Sequence, residues 1–84
     1  MTSSPESFNE AGILAYNDGN HAEAYKQFEA AARTGDPAGQ HLLASLYYQG
    51  HGVTQDLPKA VELFTAAAQA GFPPSLANLA LMYA

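Results

Sequence analysis

The sequence predicts an all-α fold: a short α-solenoid of two helix pairs plus one additional C-terminal helix. Three observations predict it. Alanine occurs seventeen times in 84 residues, and its positions recur instead of scattering. At an offset of 36 the chain aligns with itself, Ala24 with Ala60, Phe28 with Phe64, Ala30-Ala31-Ala32 with Ala66-Ala67-Ala68, Gly35 with Gly71, Pro37 with Pro73, Leu43-Ala44 with Leu79-Ala80, Leu46 with Met82 and Tyr47 with Tyr83. A period of this order marks a stacked-repeat architecture, in which each unit buries its apolar face only against its neighbours. Finally, no segment alternates apolar and polar residues with the period of two that a half-buried strand requires. Alanine-rich runs with straight side chains favour helix instead, by a few tenths of a kcal/mol per residue.

Each element has its own signals. Ser4 before Pro5-Glu6 reads as an N-cap followed by proline at the first helical position, with Phe8, Gly12 and Tyr16 spaced along one face until Asn17-Asp18-Gly19. Asn20-His21-Ala22-Glu23 has the pattern of a capping box and opens a second helix over roughly 21–34, with Ala24, Phe28, Ala31 and Ala32 as its inner stripe. Asp36-Pro37 opens a third helix, with a stripe of Gln40, Leu43, Ala44 and Tyr47, that gives way at Gln49-Gly50-His51-Gly52. Asp56 caps a fourth helix running to Ala70, and Gly71 stops it. The loop inside this second pair is longer than the one inside the first. A fifth helix begins between Pro73 and Ser75. Two helices approach closely only where glycine or a bare methyl faces the contact, so Gly12, Ala24, Ala31, Ala44, Ala60, Ala67 and Ala80 are the expected seams.

Composition excludes several classes. A chain of 84 residues makes one small domain, too small for a deep pocket with a separate catalytic lobe. There are no cysteines, hence no disulfide framework, thiolate nucleophile or thiolate metal site. Net charge is −5, and Lys26, Arg33 and Lys59 are the only fixed cations. Three scattered cations cannot displace the counterions of a nucleic acid, so no nucleic acid partner and no anionic membrane partner are expected. No apolar run reaches the length of a membrane span, and Met1–Glu6 has neither the basic start nor the apolar core of a signal peptide. The protein is accordingly expected to be soluble and cytoplasmic.

Sharper chemistry finds little support. Gly50-His51-Gly52 lacks the third glycine of a dinucleotide fingerprint, Gln55 standing in its place, and it follows a helix instead of a strand; its glycines turn the chain while Val53 plugs the helix pair. His21, His41 and His51 have no metal-ligand spacing, so no metal and no cofactor are expected. His41 and Ser45 lie one turn apart, close enough to hydrogen-bond, and a small hydrolase or cofactor-binding protein using that pair is the alternative function. It lacks an orienting acid and a nucleophile elbow, so no catalytic residue is assigned and the chain is read as non-enzymatic.

Residues 43–71 resemble the Sel-like repeat class of tetratricopeptide-like helical repeats. Leu43, Leu46, Tyr47, Gly50, Gly52, Val53, Asp56, Lys59, Ala60, Phe64, Ala67, Ala68 and Gly71 match its pattern at its spacing. Ala44 stands where glycine is usual, and Leu63 where tryptophan or another aromatic is common. The resemblance divides the single domain, 1–84, into a tetratricopeptide-like unit at 5–35 with a shorter turn, a Sel-like unit at 36–71, and the first helix of an incomplete third unit at 72–84. It implies a right-handed stack of antiparallel helix pairs acting as a protein-interaction scaffold or adaptor.

In such stacks the first helix of each pair lines the concave side. Counting from Gly12, Ala44 and Ala80 puts Asn9, Ile13, Tyr16 and Asn17 in line with His41, Ser45, Tyr48 and Gln49, and then with Ala77 and Leu81. This strip is uncharged, aromatic and rich in amides, so it suits an extended peptide or a partner helix of another protein, tyrosines supplying area and amides satisfying backbone groups. It lacks the lysines and arginines with which tetratricopeptide grooves clamp an acidic C-terminus. The last helix is apolar nearly all round. Leu76, Leu79, Leu81, Met82 and Tyr83 are therefore expected to form a self-association surface giving a homo-oligomer, and a purely structural self-assembling module is the further alternative.

Overall fold

The structure, a computed structural model, describes residues 7–83. Five helices follow one another: α1 (Phe8–Asn17), α2 (His21–Arg33), α3 (Pro37–Gln49), α4 (Leu57–Gln69) and α5 (Pro73–Tyr83), with no strand among the described residues. The all-α solenoid expected from the repeat is what forms. Side-chain caps start the first four helices: Ser7, Asn20, Asp36 and Asp56 each accept a hydrogen bond from a first-turn amide, of Glu10, Glu23, Ala38 and Lys59 respectively. The cap expected at Ser4 lies outside the described residues, and Ser7 caps α1. The expected capping box is only half made. Asn20 holds the Glu23 amide at 3.3 Å, but the Asn20 amide goes to the Ala15 carbonyl, and the Glu23 carboxylate takes Gln27 Nε2 at 2.7 Å.

Chain neighbours pack against each other. The α1–α2 and α3–α4 contacts are the most extensive, α2–α3 and α4–α5 join the pairs, and α1 touches α3 lightly, giving a stack of 46 × 25 × 18 Å. Two clusters make the core. Ala24, Phe28, Leu43 and Leu46 fill the junction of the first pair with α3, and Ala44, Ala60 and Phe64 the second pair, with Tyr47 and Leu63 touching both. Burying each phenylalanine is worth about 1.5–3 kcal/mol. Every expected seam residue among Gly12, Ala24, Ala31, Ala44, Ala60 and Ala67 is buried. Ala80 is exposed, because no described element lies against α5 where α4 lies against Ala44. One seam was missing from the sequence expectation. A Cβ on Gly39 would stand 2.6 Å from Ala31 Cβ and 2.9 Å from the Ala31 carbonyl carbon, so α3 touches the backbone of α2 there.

Seven residues, Gly50–Asp56, join the second pair, against three, Asp18–Asn20, in the first. This longer loop lies back on the first unit. Val53 packs against the first core cluster, and Gly52, at φ 75°, passes so close to the His21 carbonyl that any Cβ would collide with it. Beside it three rings stack: His21 lies 4.8 Å from Tyr16 and 4.5 Å from His51, and the Tyr16 hydroxyl meets His51 Nδ1 at 2.9 Å.

Candidate binding groove

Helices α1, α3 and α5 place two adjoining hollows along one side of the stack. The first, about 190 Å³, is lined by Ile13 and Tyr16 of α1, Leu42, Ser45, Leu46 and Gln49 of α3, and the edge of Phe28. The second, about 160 Å³, is lined by Ser45, Tyr48 and Gln49 of α3, Asn78, Leu81 and Met82 of α5, and Phe64. Sharing Ser45 and Gln49, they form one furrow across three helices, and no acidic or basic side chain lines it. A larger depression, about 460 Å³, lies between α1, α2 and the start of α3, lined by Ser7, Phe8, Gln27, Thr34 and Asp36 among others; it opens beside Ser7, next to residues outside the described region.

The structure brings Ile13, Tyr16, Ser45, Tyr48, Gln49 and Leu81 together in the furrow, in helical register. Ile13 and Tyr48 remain 42% and 43% exposed, enough area for a partner to cover. Gln49 Oε1 lies 3.4 Å from the Tyr16 hydroxyl, tying α1 to α3 across the furrow floor. Four expected groove residues, Ala77 of α5 among them, do not line it. Asn9 donates from Nδ2 to Asp36 Oδ2 at 2.7 Å and is a strut between units. Asn17, the last residue of α1, is exposed beyond the furrow. His41 turns away, its ring 5.2 Å from that of Phe64 and 5.0 Å from that of Phe72, with Nδ1 2.7 Å from Ser75 Oγ. Burial pushes the His41 pKa below the ordinary histidine value.

The expected hydrogen bond between the side chains of His41 and Ser45 does not form. Ser45 Oγ donates to the His41 backbone carbonyl at 3.1 Å, a bond inside the helix, and the imidazole is taken by Ser75, which is completely buried. A histidine whose serine partner is sealed from solvent gives a substrate no route to that hydroxyl. Among the described residues no group of three or more histidines and carboxylates gathers as a metal site. The apolar α5 also divides. Leu79 and Met82 pack inward on the Ala44, Ala60 and Phe64 cluster, whereas Leu76 and Leu81 are 59% and 73% exposed. The expected self-association surface therefore reduces to Leu76 and Leu81; the side chain of Tyr83 lies outside the described set.

Stacked helix pairs bearing a furrow on the side of their first helices define a helical-repeat protein. Residues 37–72 match the Sel1 repeat. The chain is a Sel1-like repeat protein, and such repeats generally mediate protein–protein interaction and are typically non-catalytic scaffolds. It is 36% identical over 63 residues to an exopolysaccharide production negative regulator of Rhizobium leguminosarum bv. viciae, a match covering 75% of this chain and 24% of that protein. The chain thus spans about a quarter of the length of the curated relative it matches. No solved structure matches it significantly. Among the described residues no helix is long and apolar enough to cross a membrane.

Proposed function

We propose that the chain binds an uncharged segment of another protein, an extended peptide or one face of a helix, in the furrow across α1, α3 and α5. One observation carries this: the two hollows join through Ser45 and Gln49 into a surface whose lining is aromatic, aliphatic or amide, with Tyr48 and Ile13 half open to solvent. Tyrosine in such a position supplies contact area at low entropic cost, and amides and hydroxyls pair with the partner's backbone. Tyr48→Ala tests it in a pull-down against the wild type. The fold is kept, because Tyr48 lies outside both core clusters, and partner recovery falls by about 5–30-fold, the cost of losing one interface anchor. Unchanged recovery of every partner removes the groove.

Self-association is the second reading, favoured by Leu76, which is exposed, apolar and outside the furrow. Leu76→Glu separates the two surfaces. A self-associating protein loses its concentration-dependent mass in light scattering while partner recovery stays; a strict monomer at high concentration in the wild type ends this reading. We also place the protein in the cytoplasm, and recovery of the chain itself from another cell fraction would overturn that.

A further inference from the structure

We propose that His41 makes the docking of α5 sensitive to pH: with the imidazole neutral, Ser75 and Phe72 are held against α3, and protonation releases the helix. Helices α3 and α5 meet here through one hydrogen bond, buried at Ser75 and half-buried at His41. His41 Nδ1 lies 2.7 Å from Ser75 Oγ, Ser75 is 0% exposed, and the ring sits against Phe64 at 62° and Phe72 at 49°. A neutral imidazole can accept the Ser75 hydroxyl proton at Nδ1. An imidazolium is a donor at both nitrogens, so protonation reverses the bond, leaves the buried Ser75 hydroxyl proton without its acceptor and sets a cation among aromatic rings.

No neighbouring element brings a compensating charge. α3 contains no acidic or basic residue besides His41, and its cap Asp36 is held by Asn9. α4 presents Phe64 to the ring, and its charged side chains Lys59 and Glu62 pair with each other at 3.0 Å on exposed surface. The 70–72 turn is Ala70, Gly71 and Phe72, and α5 has no charged residue. Among the described residues no carboxylate lies within ion-pair distance of a histidine. Burial already shifts the ring toward its neutral form, the direction the geometry requires.

The joint one unit earlier is built differently. Asn9 stands three residues before the seam Gly12 as His41 stands three before Ala44, and it also reaches the start of the following unit, at Asp36, but through an amide. At this position the joint to α3 uses an amide and the joint to α5 an imidazole. Since α5 supplies Asn78, Leu81 and Met82 to the second hollow, releasing it opens that half of the furrow. This last consequence rests on the proposed groove, whereas the device itself belongs to the free chain and is tested there.

The test is an NMR titration of the free chain from pH 8 to pH 5, following the His41 ring and amide exchange in α5 and α2. The His41 midpoint is expected below the ordinary value of about 6.5. Protection of α5, corrected for intrinsic exchange and taken relative to α2, falls by about tenfold or more over the same interval. His41→Gln abolishes the difference between the helices, while His21→Gln, in the separate ring stack with His51, keeps it. Parallel change of α5 and α2, or wild-type behaviour in His41→Gln, overturns the proposal. Should His41→Gln not fold, separate midpoints for the wild-type His41 ring and the α5 amides overturn it equally.

Discussion

Gly39 and Ala31 meet where α3 crosses α2, and the Ala31 methyl and backbone leave no room for a second methyl group at Gly39. In Gly39→Ala the gain in helix propensity is about 1 kcal/mol, but the new Cβ meets backbone that cannot swing aside, and overpacking costs about 1–3 kcal/mol. We expect net destabilisation in a denaturant titration, where an exposed helical glycine would give the opposite sign. Gly39 escaped the sequence analysis because its signal does not repeat: the corresponding positions in the neighbouring units are Ser7 and Ser75. The phenylalanines, by contrast, were plain from their spacing. Phe28→Ala and Phe64→Ala each leave a large cavity and are expected to cost about 3–5 kcal/mol, readable as a fall in the midpoint of chemical unfolding. Phe28 also covers Gly12, so losing it strips the α1–α2 contact as well.

Between helices, polar joints matter more than surface charge. Tyr25 and Tyr47 share a hydroxyl contact of 3.1 Å across α2 and α3, and that hydrogen bond, with burial, holds the Tyr25 hydroxyl well above the usual phenol pKa. The ion pairs Glu23–Lys26, Glu29–Arg33 and Lys59–Glu62 all run along single helices on accessible surface. Hydrogen bonding to Glu62 raises the Lys59 pKa, yet the pair lies on accessible surface, and Glu62→Gln should change stability by under about 1 kcal/mol. The His41 joint behaves otherwise. Its pKa is lowered on folding, so the folded chain binds fewer protons than the unfolded one between the two values, and stability rises with pH there. The contribution is fully present above the unfolded value of about 6.5 and is lost as pH falls through the lower folded value. The thermal unfolding midpoint should therefore fall between neutral and mildly acid pH in the wild type, and by less in His41→Gln. Nothing in the spacing of His41 pointed to Ser75, since the contact depends on how one unit sits on the next.

Across the whole molecule the architecture is a line of nearest-neighbour contacts, so stability should depend on each junction in turn. Replacing Leu76 or Leu81 with glutamate leaves the core clusters untouched. Both variants are expected to stay within about 0.5 kcal/mol of the wild type while becoming less prone to associate, as read by chemical unfolding and light scattering. Leu81→Glu should also weaken partner binding, because Leu81 lines the furrow and Leu76 does not.

Helix positions, their caps at Asn20, Asp36 and Asp56, and the small-residue seams apart from Gly39 and Ala80 could be read from the chain, because each depends on a few neighbouring residues or on a spacing that recurs. The furrow was legible in part for the same reason: Ile13, Tyr16, Ser45, Tyr48 and Gln49 stand on one face at regular steps. What had to wait for the folded chain was every contact between groups that no period relates. Asn9 became a strut on Asp36, His41 a half-buried partner of the buried Ser75, and the Gly50–Asp56 loop a cover for the first unit through the rings of Tyr16, His21 and His51. Local rules place a side chain on a face of its helix. Which atom it then meets is set by the angle and distance at which the next unit packs, and that is a property of the assembled stack.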